Sequence, residues 1–298
     1  MHIETLKVFC DVVETGSFSV AASQNFITQS AVSQQLRALE AKYKCRLLER
    51  GRGGAKPTPA GEILYRGSRA ILEAYRDVDN QMQDLGKVVN GLLRVSIVYS
   101  VGLHELPPYL KEYLRAYPEV NVHVEYSRAN KIYDAVIGGL TDLGILAYPT
   151  RHPQITVLPF REDRLVLVCP PDHPLASLRK ATMAKLNDQP FIAYERDIPT
   201  RKAIDQLFKA QNASPRYVAE YDNIETIKRA VEIGQGLAIV PLPTVTHETE
   251  LGTLKVVALG DVNLMRPLGI IYRRGRHLSP AARKFVDVLR EDRAEAAA

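Results

Sequence analysis

The chain has few of the features that mark a secreted or membrane protein. It has only three cysteines in 298 residues, Cys10, Cys45 and Cys169, and they are far apart and form no paired motif. This usage indicates small buried hydrophobic side chains in a reducing compartment and gives no basis for a redox role. The N-terminus lacks the apolar core of a secretion signal, and no apolar run is long enough to span a bilayer. We therefore expect a cytoplasmic protein.

The motifs of common enzyme classes are also missing. The sequence contains no phosphate-binding P-loop and no nucleophile elbow of the hydrolases. The Gly-Gln-Gly at residues 234–236 follows a predicted helix, whereas a dinucleotide-binding motif follows a strand, so we interpret it as a helix end. His152, Cys169 and His173 have no recognised metal spacing. We expect a protein that is not an enzyme and that binds no metal.

The composition allows more than one domain. With 298 residues, 46% of them hydrophobic, the chain can bury substantial cores and divide into two or three domains. The formal net charge of +5 and the pI near 9.0 permit a nucleic-acid partner without demonstrating one. The distribution of charge along the chain is therefore more informative than its total.

Residues 17–39 are the most informative stretch. They predict two short helices around a tight turn, the second capped by Thr28 and continuing to about Tyr43. One face of this second helix is apolar at helical spacing, with Val32, Leu36, Leu39 and Tyr43. The other face carries amide and hydroxyl side chains and one arginine, namely Gln29, Ser30, Ser33, Gln34 and Arg37. Such side chains can read base edges or hold a phosphate in the DNA major groove. A solvated helix also has a polar face, so this face alone leaves both interpretations open.

The surrounding residues favour DNA binding. A first helix is predicted from Ile3 to Gly16, and no proline occurs before Pro57, as a compact helical unit requires. Residues 37–58 contain seven basic and two acidic side chains. Residues 50–56, RGRGGAK, are Gly-rich and basic, which favours a flexible wing along the phosphate backbone over a merely solvated loop. The candidate backbone contacts are Arg50, Arg52, Lys56 and Thr58.

A long helix is predicted over residues 62–89, with a stop at Asn90 and Gly91. Its apolar residues alternate in spacings of four and three, which is typical of a coiled-coil seam: Ile71, Tyr75, Val78, Met82, Leu85 and Val89. Such a seam favours a second copy of the chain as its partner. The alternative is a single helix that packs on its own domain.

After Gly91 the pattern changes to two α/β halves. The first has strands at 92–98, 120–126 and 142–147 and helices at 104–117 and 131–138. The second has strands at 191–194, 216–220 and 237–240 and helices at 201–211 and 224–234. Extended stretches at 165–169 and 268–272 are interpreted as hinge crossings, and a last helix at 280–290 is expected to pack on the first half.

Ligands of open parallel sheets bind at the carboxyl ends of strands, where the next helices direct N–H groups at them. The residues at such junctions are Ser100, Val101, Gly102, Ser127, Arg128, Asn130, Thr200 and Arg201, and Tyr148 and Asn223 are further candidates. Hydroxyls, helix N-termini and arginines favour a small anion, such as a carboxylate or a phosphate ester. The alternative is that Ser127 and Thr200 only cap helices and the arginines face solvent.

From end to end, the chain resembles the LysR-type transcriptional regulators. The N-terminal motifs are LKVFCDVVETGSFSVAA, TQSAVSQQLRALEAKY and TPAG, and the later ones are LRV, DLGILAYP, PPDHPLA and AVEIGQGLAIVP. The family commonly has Phe where this chain has Leu48, and Leu where it has Pro57. Because proline has no backbone N–H, Pro57 removes one hydrogen-bond donor from the wing. Peroxide-sensing members use a cysteine pair where this chain has only Cys169, so that mechanism is not expected.

The resemblance implies an α+β multidomain regulator. Residues 1–59 would form a winged helix-turn-helix DNA-binding domain, 60–90 a dimerising linker helix, and 91–298 a receiver similar to periplasmic binding proteins. Lobe I of this receiver would comprise 91–162 and 268–298, and lobe II 163–267. The implied partners are pseudo-palindromic double-stranded DNA, a small effector, further copies in a homodimer or homotetramer, and RNA polymerase. The rival interpretation is a solute-binding or enzymatic α/β protein with an ancillary helical domain.

Overall fold

The chain divides into two compact units, Met1–Gly86 and Lys87–Ala298, here called the N-terminal unit and the C-terminal unit. A computed structural model describes residues 2–51, 54–83, 89–260 and 262–295. The N-terminal unit combines helices with one small hairpin. The C-terminal unit alternates strands and helices, as the sequence pattern predicts. No described helix is both long enough and apolar enough to cross a membrane.

The elements of the N-terminal unit are α1 (Ile3–Thr15), α2 (Phe18–Gln24), α3 (Gln29–Tyr43), β1 (Leu48–Gly51), β2 (Gly54–Pro57) and α4 (Pro59–Gln83). Gly16 ends α1 in the left-handed conformation, with a φ of 64° that glycine adopts without strain. The Ser17 hydroxyl accepts a hydrogen bond from the Val20 amide, and Thr28 does the same for Ala31. These hydroxyls cap α2 and α3, so the predicted cap of α3 is confirmed.

The apolar stripe of α3 is buried, with one exception. Val32, Leu36 and Leu39 are each at most 4% exposed and join one core with α1 and α2. Tyr43 is 43% exposed, and the Lys42 ammonium lies 5.5 Å from the centre of its ring. Tyr43 therefore continues the apolar stripe in spacing and not in burial, because α3 ends at this residue.

The predicted long helix is present as α4 and ends differently from the prediction. Its 25 residues extend about 37 Å at 1.5 Å per residue. Four predicted seam residues are between 47% and 64% exposed, namely Ile71, Tyr75, Val78 and Met82. Leu85 lies outside the described residues. Val89 is not helical, since residues 89–90 are irregular and Gly91 already begins the next strand.

The C-terminal unit contains the strands β3 (Gly91–Ile97), β4 (Val120–Tyr126), β5 (Leu143–Ala147), β6 (Ile155–Cys169), β7 (Lys180–Ala181), β8 (Pro190–Tyr194), β9 (Arg216–Tyr221), β10 (Ala238–Pro241), β11 (Lys255–Leu259) and β12 (Met265–Arg273). Its helices are α5 (Tyr99–His104), α6 (Leu106–Ala116), α7 (Ala129–Ile137), α8 (Pro199–Ala210), α9 (Ile224–Glu232), α10 (Thr246–Leu251) and α11 (Pro280–Glu295). Gly234 follows α9 with a φ of 77°, in agreement with its interpretation as a helix end.

Two antiparallel strands connect the two halves of the C-terminal unit. The strand β3 pairs in parallel with β4 and β5, and β12 pairs with β5 and with the first part of β6. The last part of β6, from Leu165 onward, pairs instead with β10 and β11. Thus β6 and β12 form the crossing, and β6 begins ten residues before the stretch that the sequence indicated.

Two separate apolar cores lie on either side of this crossing. One includes Leu93, Ile145 and Phe285, and the other includes Leu167, Phe191 and Ile227. We keep the names lobe I and lobe II for the parts around these cores. The final helix, α11, packs on lobe I as predicted, and its Ala281 carbonyl accepts a hydrogen bond of 2.8 Å from Tyr113.

Candidate functional site

The polar face of α3 is accessible. Gln29, Ser30, Gln34 and Arg37 are exposed, and Ser33 is half-buried. Ser30, Gln34 and Arg37 lie on the side of α3 away from the buried stripe, whereas Ser33 lies at its margin and Gln29 in the first turn. Within the described part of the chain, Arg37 has no acidic partner.

Polar anchors fix the two ends of this helical region. The Asn25 side chain, in the turn between α2 and α3, donates to the carboxylate of Asp11 at 2.6 Å and accepts from Lys7 at 2.7 Å. At the other end, Glu40 Oε1 accepts hydrogen bonds from the amides of Leu47 and Leu48. The turn is thereby tied to α1, and the first strand of the wing is tied to α3.

The hairpin β1–β2 is the predicted wing, and tight backbone contacts position it. The Ala55 amide donates to the Gly16 carbonyl at 2.8 Å, and a Cβ at Gly54 would lie only 2.6 Å from that oxygen. Pro57 ends β2 opposite Leu48, so the missing proline donor leaves the hairpin intact.

The four residues predicted to contact the DNA backbone differ in their surroundings. Lys56 is exposed, Arg50 lies on β1, and Arg52 lies outside the described residues. Thr58 corrects the prediction, because its hydroxyl donates to the Arg46 carbonyl at 2.8 Å and accepts from the Gly61 amide at 3.0 Å. It caps α4 and has no free proton for DNA.

A cavity of about 280 Å³ lies between lobe I and lobe II, at the carboxyl ends of strands. Six of the ten predicted effector residues line it, namely Ser100, Ser127, Arg128, Asn130, Tyr148 and Thr200. The other four, Val101, Gly102, Arg201 and Asn223, do not. The sequence therefore located the cleft correctly and overestimated how many junction residues face it.

Packing, capping and ion pairing explain why these four residues do not line the cavity. Val101 is fully buried in the core of lobe I, and a Cβ at Gly102 would lie 2.5 Å from the Tyr126 ring. The Asn223 side chain accepts from the Glu225 amide and so caps α9. Arg201 donates to the carboxylates of Asp205 and Glu220 and to the Tyr194 carbonyl. The prediction that Arg201 binds the effector anion is therefore not supported by its position.

Arg128 is also already paired. Its guanidinium extends from lobe I to three carboxylates of lobe II: Glu195 at 3.0 Å, Asp197 at 3.5 Å and Asp222 at 2.6 Å. The hydrogen bond that it donates to Asp222 is the main cause of a raised Arg128 pKa. We call Arg128 and these three carboxylates the clasp, because they connect the two lobes at the edge of the cavity.

The sequence missed two residues of the cavity floor, Arg266 and Tyr194. Arg266 is 2% exposed and lies opposite Asp163 in the β6–β12 pairing, where the chain crosses between lobes. Its Nε donates to Asp163 at 3.0 Å, and its Nη1 donates to the Ser100 hydroxyl at 3.0 Å. Tyr194 ends β8, so the rule that selected strand ends would have found it.

Backbone geometry directs Tyr148 toward the same floor. Tyr148 has a φ of 51°, a left-handed conformation that costs a bulky residue on the order of 1–3 kcal/mol. Its amide donates to the Pro267 carbonyl at 2.8 Å, next to an irregularity in the β6–β12 pairing. Neighbouring Pro149 packs where a Cβ at Gly269 would lie, at 2.6 Å. The crossing strands therefore hold a strained residue at the cavity.

The cysteines are not part of either site. Cys10 and Cys169 are buried, and burial raises their pKa values to about 12 and about 11, so both thiols stay protonated. Cys45 is exposed, in contrast to the expected burial. Within the described ranges, no group of three side chains is arranged to hold a metal ion.

Both parts of the chain match a known protein family. Residues 3–62 match the bacterial regulatory helix-turn-helix protein family of the LysR type, and residues 86–294 match the LysR substrate binding domain. The chain is a LysR-type transcriptional regulator. Regulators of this type bind DNA and small effectors and form oligomers.

Curated relatives of this LysR-type regulator are similar over nearly their whole length. The RuBisCO operon transcriptional regulator of Allochromatium vinosum is 30% identical over 287 residues, covering 96% of this chain and 95% of the relative. The transcriptional activator CmpR of Synechocystis is 28% identical, covering 96% and 94%. The relatives are thus transcriptional regulators that match both units.

Solved structures confirm the fold class of this LysR-type regulator. A full-length OxyR mutant from Pseudomonas aeruginosa has a TM-score of 0.78 at 21% identity, over 98% of this chain and 95% of the other. Full-length CbnR complexed with its target DNA has a TM-score of 0.70 at 21% identity, over 97% and 99%. The Synechocystis CcmR regulatory domain in complex with 2-PG has a TM-score of 0.62 at 26% identity, over 67% and 96%.

Proposed function

We propose that this regulator binds a pseudo-palindromic DNA site as a dimer and responds to a small acidic effector held between lobe I and lobe II. The observation that carries the proposal is that one unit has an open, polar α3 face and the other unit has a cavity between its two lobes. The proposed boundaries are residues 1–59 for DNA binding, 60–90 for dimerisation and 91–298 for the receiver. Because its target is chromosomal DNA, the cytoplasm remains the expected compartment.

The DNA-reading assignment rests on the chemistry of α3. Amide side chains such as Gln29 and Gln34 can bond adenine edges, and Arg37 can bond guanine or a phosphate. Arg50, Arg52 and Lys56 of the wing are assigned to phosphates, which position the protein without reading sequence. Thr58 is left out of this set because it caps α4.

The dimer assignment rests on α4. Its first turns pack on α1, where Tyr65 and Arg69 both donate to Glu14. Further along, the seam from Ile71 to Met82 is about half exposed. An apolar seam with coiled-coil spacing is stabilised by a partner helix. A dimer would place two copies of α3 on two half-sites, as a pseudo-palindrome requires.

The effector assignment rests on the cavity and on one similar structure. The cavity lies at strand ends, next to the N-termini of α7 and α8. The similar CcmR domain was solved with 2-PG, an anionic molecule. A small carboxylate or phosphate ester is therefore the proposed effector class, and no bound cofactor is needed.

A gel-shift titration tests the DNA assignment. The probe is the duplex upstream of the chain's own gene, with a shuffled duplex of equal length as competitor. We expect the full chain to prefer the upstream duplex by at least about a thousandfold at physiological salt. A seam variant, Val78→Glu, should sediment as a monomer and lose this preference. Equal binding to both duplexes, or a wild type that sediments only as a monomer, would contradict the proposal.

A further inference from the structure

The floor of the cavity holds polar groups that the described chain does not satisfy. The hydroxyl oxygens of Tyr148 and Tyr194 are buried and have no hydrogen-bond partner among the described residues. Tyr194 is only 6% exposed, and both residues line the cavity. A buried hydroxyl without a partner costs free energy, so a ligand that accepts its proton would be stabilised there.

The groups that this floor offers to a ligand are hydrogen-bond donors. Because the Ser100 hydroxyl accepts from Arg266, its own proton is available to a ligand. Burial raises the pKa of Tyr148 and of Tyr194, so both phenols keep their protons at neutral pH. Asp163 already accepts two hydrogen bonds from Arg266. The floor therefore presents three hydroxyl donors and a guanidinium.

The edge of the same cavity has the opposite character. Asp197 and Asp222 line it, and with Glu195 they surround the single cation of Arg128. Three carboxylates around one guanidinium leave an excess of negative charge, which favours hydrogen-bond donors and repels a second anion. Apolar side chains also line the cavity, and we call these residues the apolar wall: Val98, Leu146, Ile198 and Ile224.

We propose that the effector binds with its acidic group at the floor, against Arg266 and the hydroxyls of Ser100, Tyr148 and Tyr194, and with a hydroxyl or ammonium group toward the clasp. The inference deepens the proposed function and rests on it. The ligand class is a small hydroxy or amino acid, or a phosphate monoester with a hydroxyl, whose short body crosses the apolar wall. Arg128 keeps its three carboxylates when the ligand is bound.

Calorimetric titration of the full chain tests this orientation. The probes are glycolate, serine, 2-PG, 3-carbon and 4-carbon hydroxy acids, the matched acids without a hydroxyl, and inorganic phosphate. For the best-bound probe, Tyr194→Phe, Tyr148→Phe and Ser100→Ala should each weaken binding about tenfold or more, as expected for a hydrogen bond to a charged group. Tyr113→Phe, a change in the core of lobe I outside the cavity lining, should change it less than threefold. Loss of binding in Arg128→Gln with unchanged floor variants would overturn the orientation.

A matched pair of variants separates ligand binding from folding. Tyr113→Phe removes a hydroxyl that donates to the Ala281 carbonyl, so it should lower the melting temperature of the ligand-free protein by about 2–4 °C. Tyr194→Phe removes a hydroxyl without a described partner, so it should leave that temperature unchanged or raise it. A drop in Tyr194→Phe equal to that in Tyr113→Phe would show that the Tyr194 hydroxyl serves folding, and would overturn its role in the subsite.

The outcomes also distinguish this inference from the function on which it rests. If the wild type binds none of the acidic probes, the acidic-effector assignment itself fails. If the wild type binds an acid and the floor variants bind it equally well, the floor subsite fails while the proposed function stands. If acids without the hydroxyl bind as tightly as the hydroxy acids, the contact with the clasp is refuted.

Discussion

The cations of the α3 and wing surface and the arginines around the cavity have opposite surroundings. Among the described residues, Arg37 and Lys56 are exposed and have no acidic partner. Around the cavity, Arg128 meets three carboxylates and Arg266 is buried against Asp163. The first surface is ready to receive an external polyanion, whereas the second has its charge compensated before any ligand arrives.

This difference separates two ways of binding an anion. Free cations on an exposed surface gain affinity mainly by releasing counterions from DNA, so their contribution depends on salt and little on sequence. Compensated arginines in a cavity contribute through geometry, because a ligand must match donors that are already fixed. Positive charge on a residue is therefore a weak guide to its role unless its partners are known.

The largest predicted effect is a loss of unfolding free energy when the buried ion pair of Arg266 and Asp163 is broken. Arg266→Ala would leave Asp163 buried without its ion-pair partner, which typically costs about 3–5 kcal/mol of unfolding free energy. Urea unfolding of the full chain, followed by circular dichroism, measures the loss in the transition of the C-terminal unit. Arg128→Gln is the matched control, and its loss should be much smaller because the clasp is exposed. Equal losses in the two variants would show that Arg266 is not part of a buried pair.

The next effect concerns base reading by α3. Gln34→Ala should cost about 1–3 kcal/mol on the preferred site, because the amide is assigned to a base edge. On a shuffled duplex, the same change should have little effect. Competition gel shifts against single base-pair variants would show relaxed preference at one position of each half-site. An equal loss on both duplexes would instead assign Gln34 to the phosphate backbone.

A smaller effect is expected in the salt dependence of DNA binding, which tests the exposed cations of the wing. Lys56→Ala should weaken binding to all sequences and flatten the plot of log affinity against log salt by about 0.9 for each phosphate that the protein no longer neutralises, hence about twice that for a dimer. Arg52→Ala is predicted to act in the same way. Fluorescence anisotropy between about 50 and 200 mM salt measures the slope. An unchanged slope would remove Lys56 from the residues assigned to phosphates.

Local patterns in the sequence were sufficient for the N-terminal unit. The cap of α3 at Thr28, the end of α1 at Gly16 and the buried face of α3 all depend on residues within one or two turns of each other. Interactions of this range leave a periodic record in the sequence. Tyr43 marks the limit, because only the three-dimensional packing decides where the buried stripe ends.

The cavity could be predicted in position and only partly in chemistry. Arg266 donates hydrogen bonds to Asp163 and Ser100, which precede it by 103 and 166 positions in the sequence. No local sequence pattern connects residues that are so far apart. Arg201 is different, since Asp205 follows it by four residues, a spacing that favours an ion pair on one helix. That spacing was readable in the sequence and would have removed Arg201 from the anion ligands.

The smallest predicted effect is a pH dependence of the unfolding free energy that arises from Glu105, which lies near Asp163. Glu105 Oε1 and Asp163 Oδ1 are both buried without a described partner, although Arg161 bonds Glu105 and Arg266 bonds Asp163 through their other oxygens. Burial and the nearby Asp163 raise the pKa of Glu105, so the folded state holds a proton that the unfolded state releases above its ordinary pKa of 4.5. The unfolding free energy should then fall as pH rises from about 4.5 through the raised pKa.

Glu105→Gln keeps the shape of the side chain and removes the titration, so it should flatten this part of the pH profile. Urea unfolding at half-unit pH steps measures both profiles. Glu225→Gln is the control of opposite sign. Burial raises the pKa of Glu225, but hydrogen bonds from His104 and Lys228 outweigh burial and lower it. The stabilisation by Glu225 is therefore lost as pH falls below 4.5. A wild-type profile that rises with pH above 4.5 and is unchanged by Glu105→Gln would mean that folding does not raise the pKa of Glu105. The positive charges of Arg161 and Arg266, which act to lower this pKa, would then fully offset the burial of Glu105 and its nearness to Asp163.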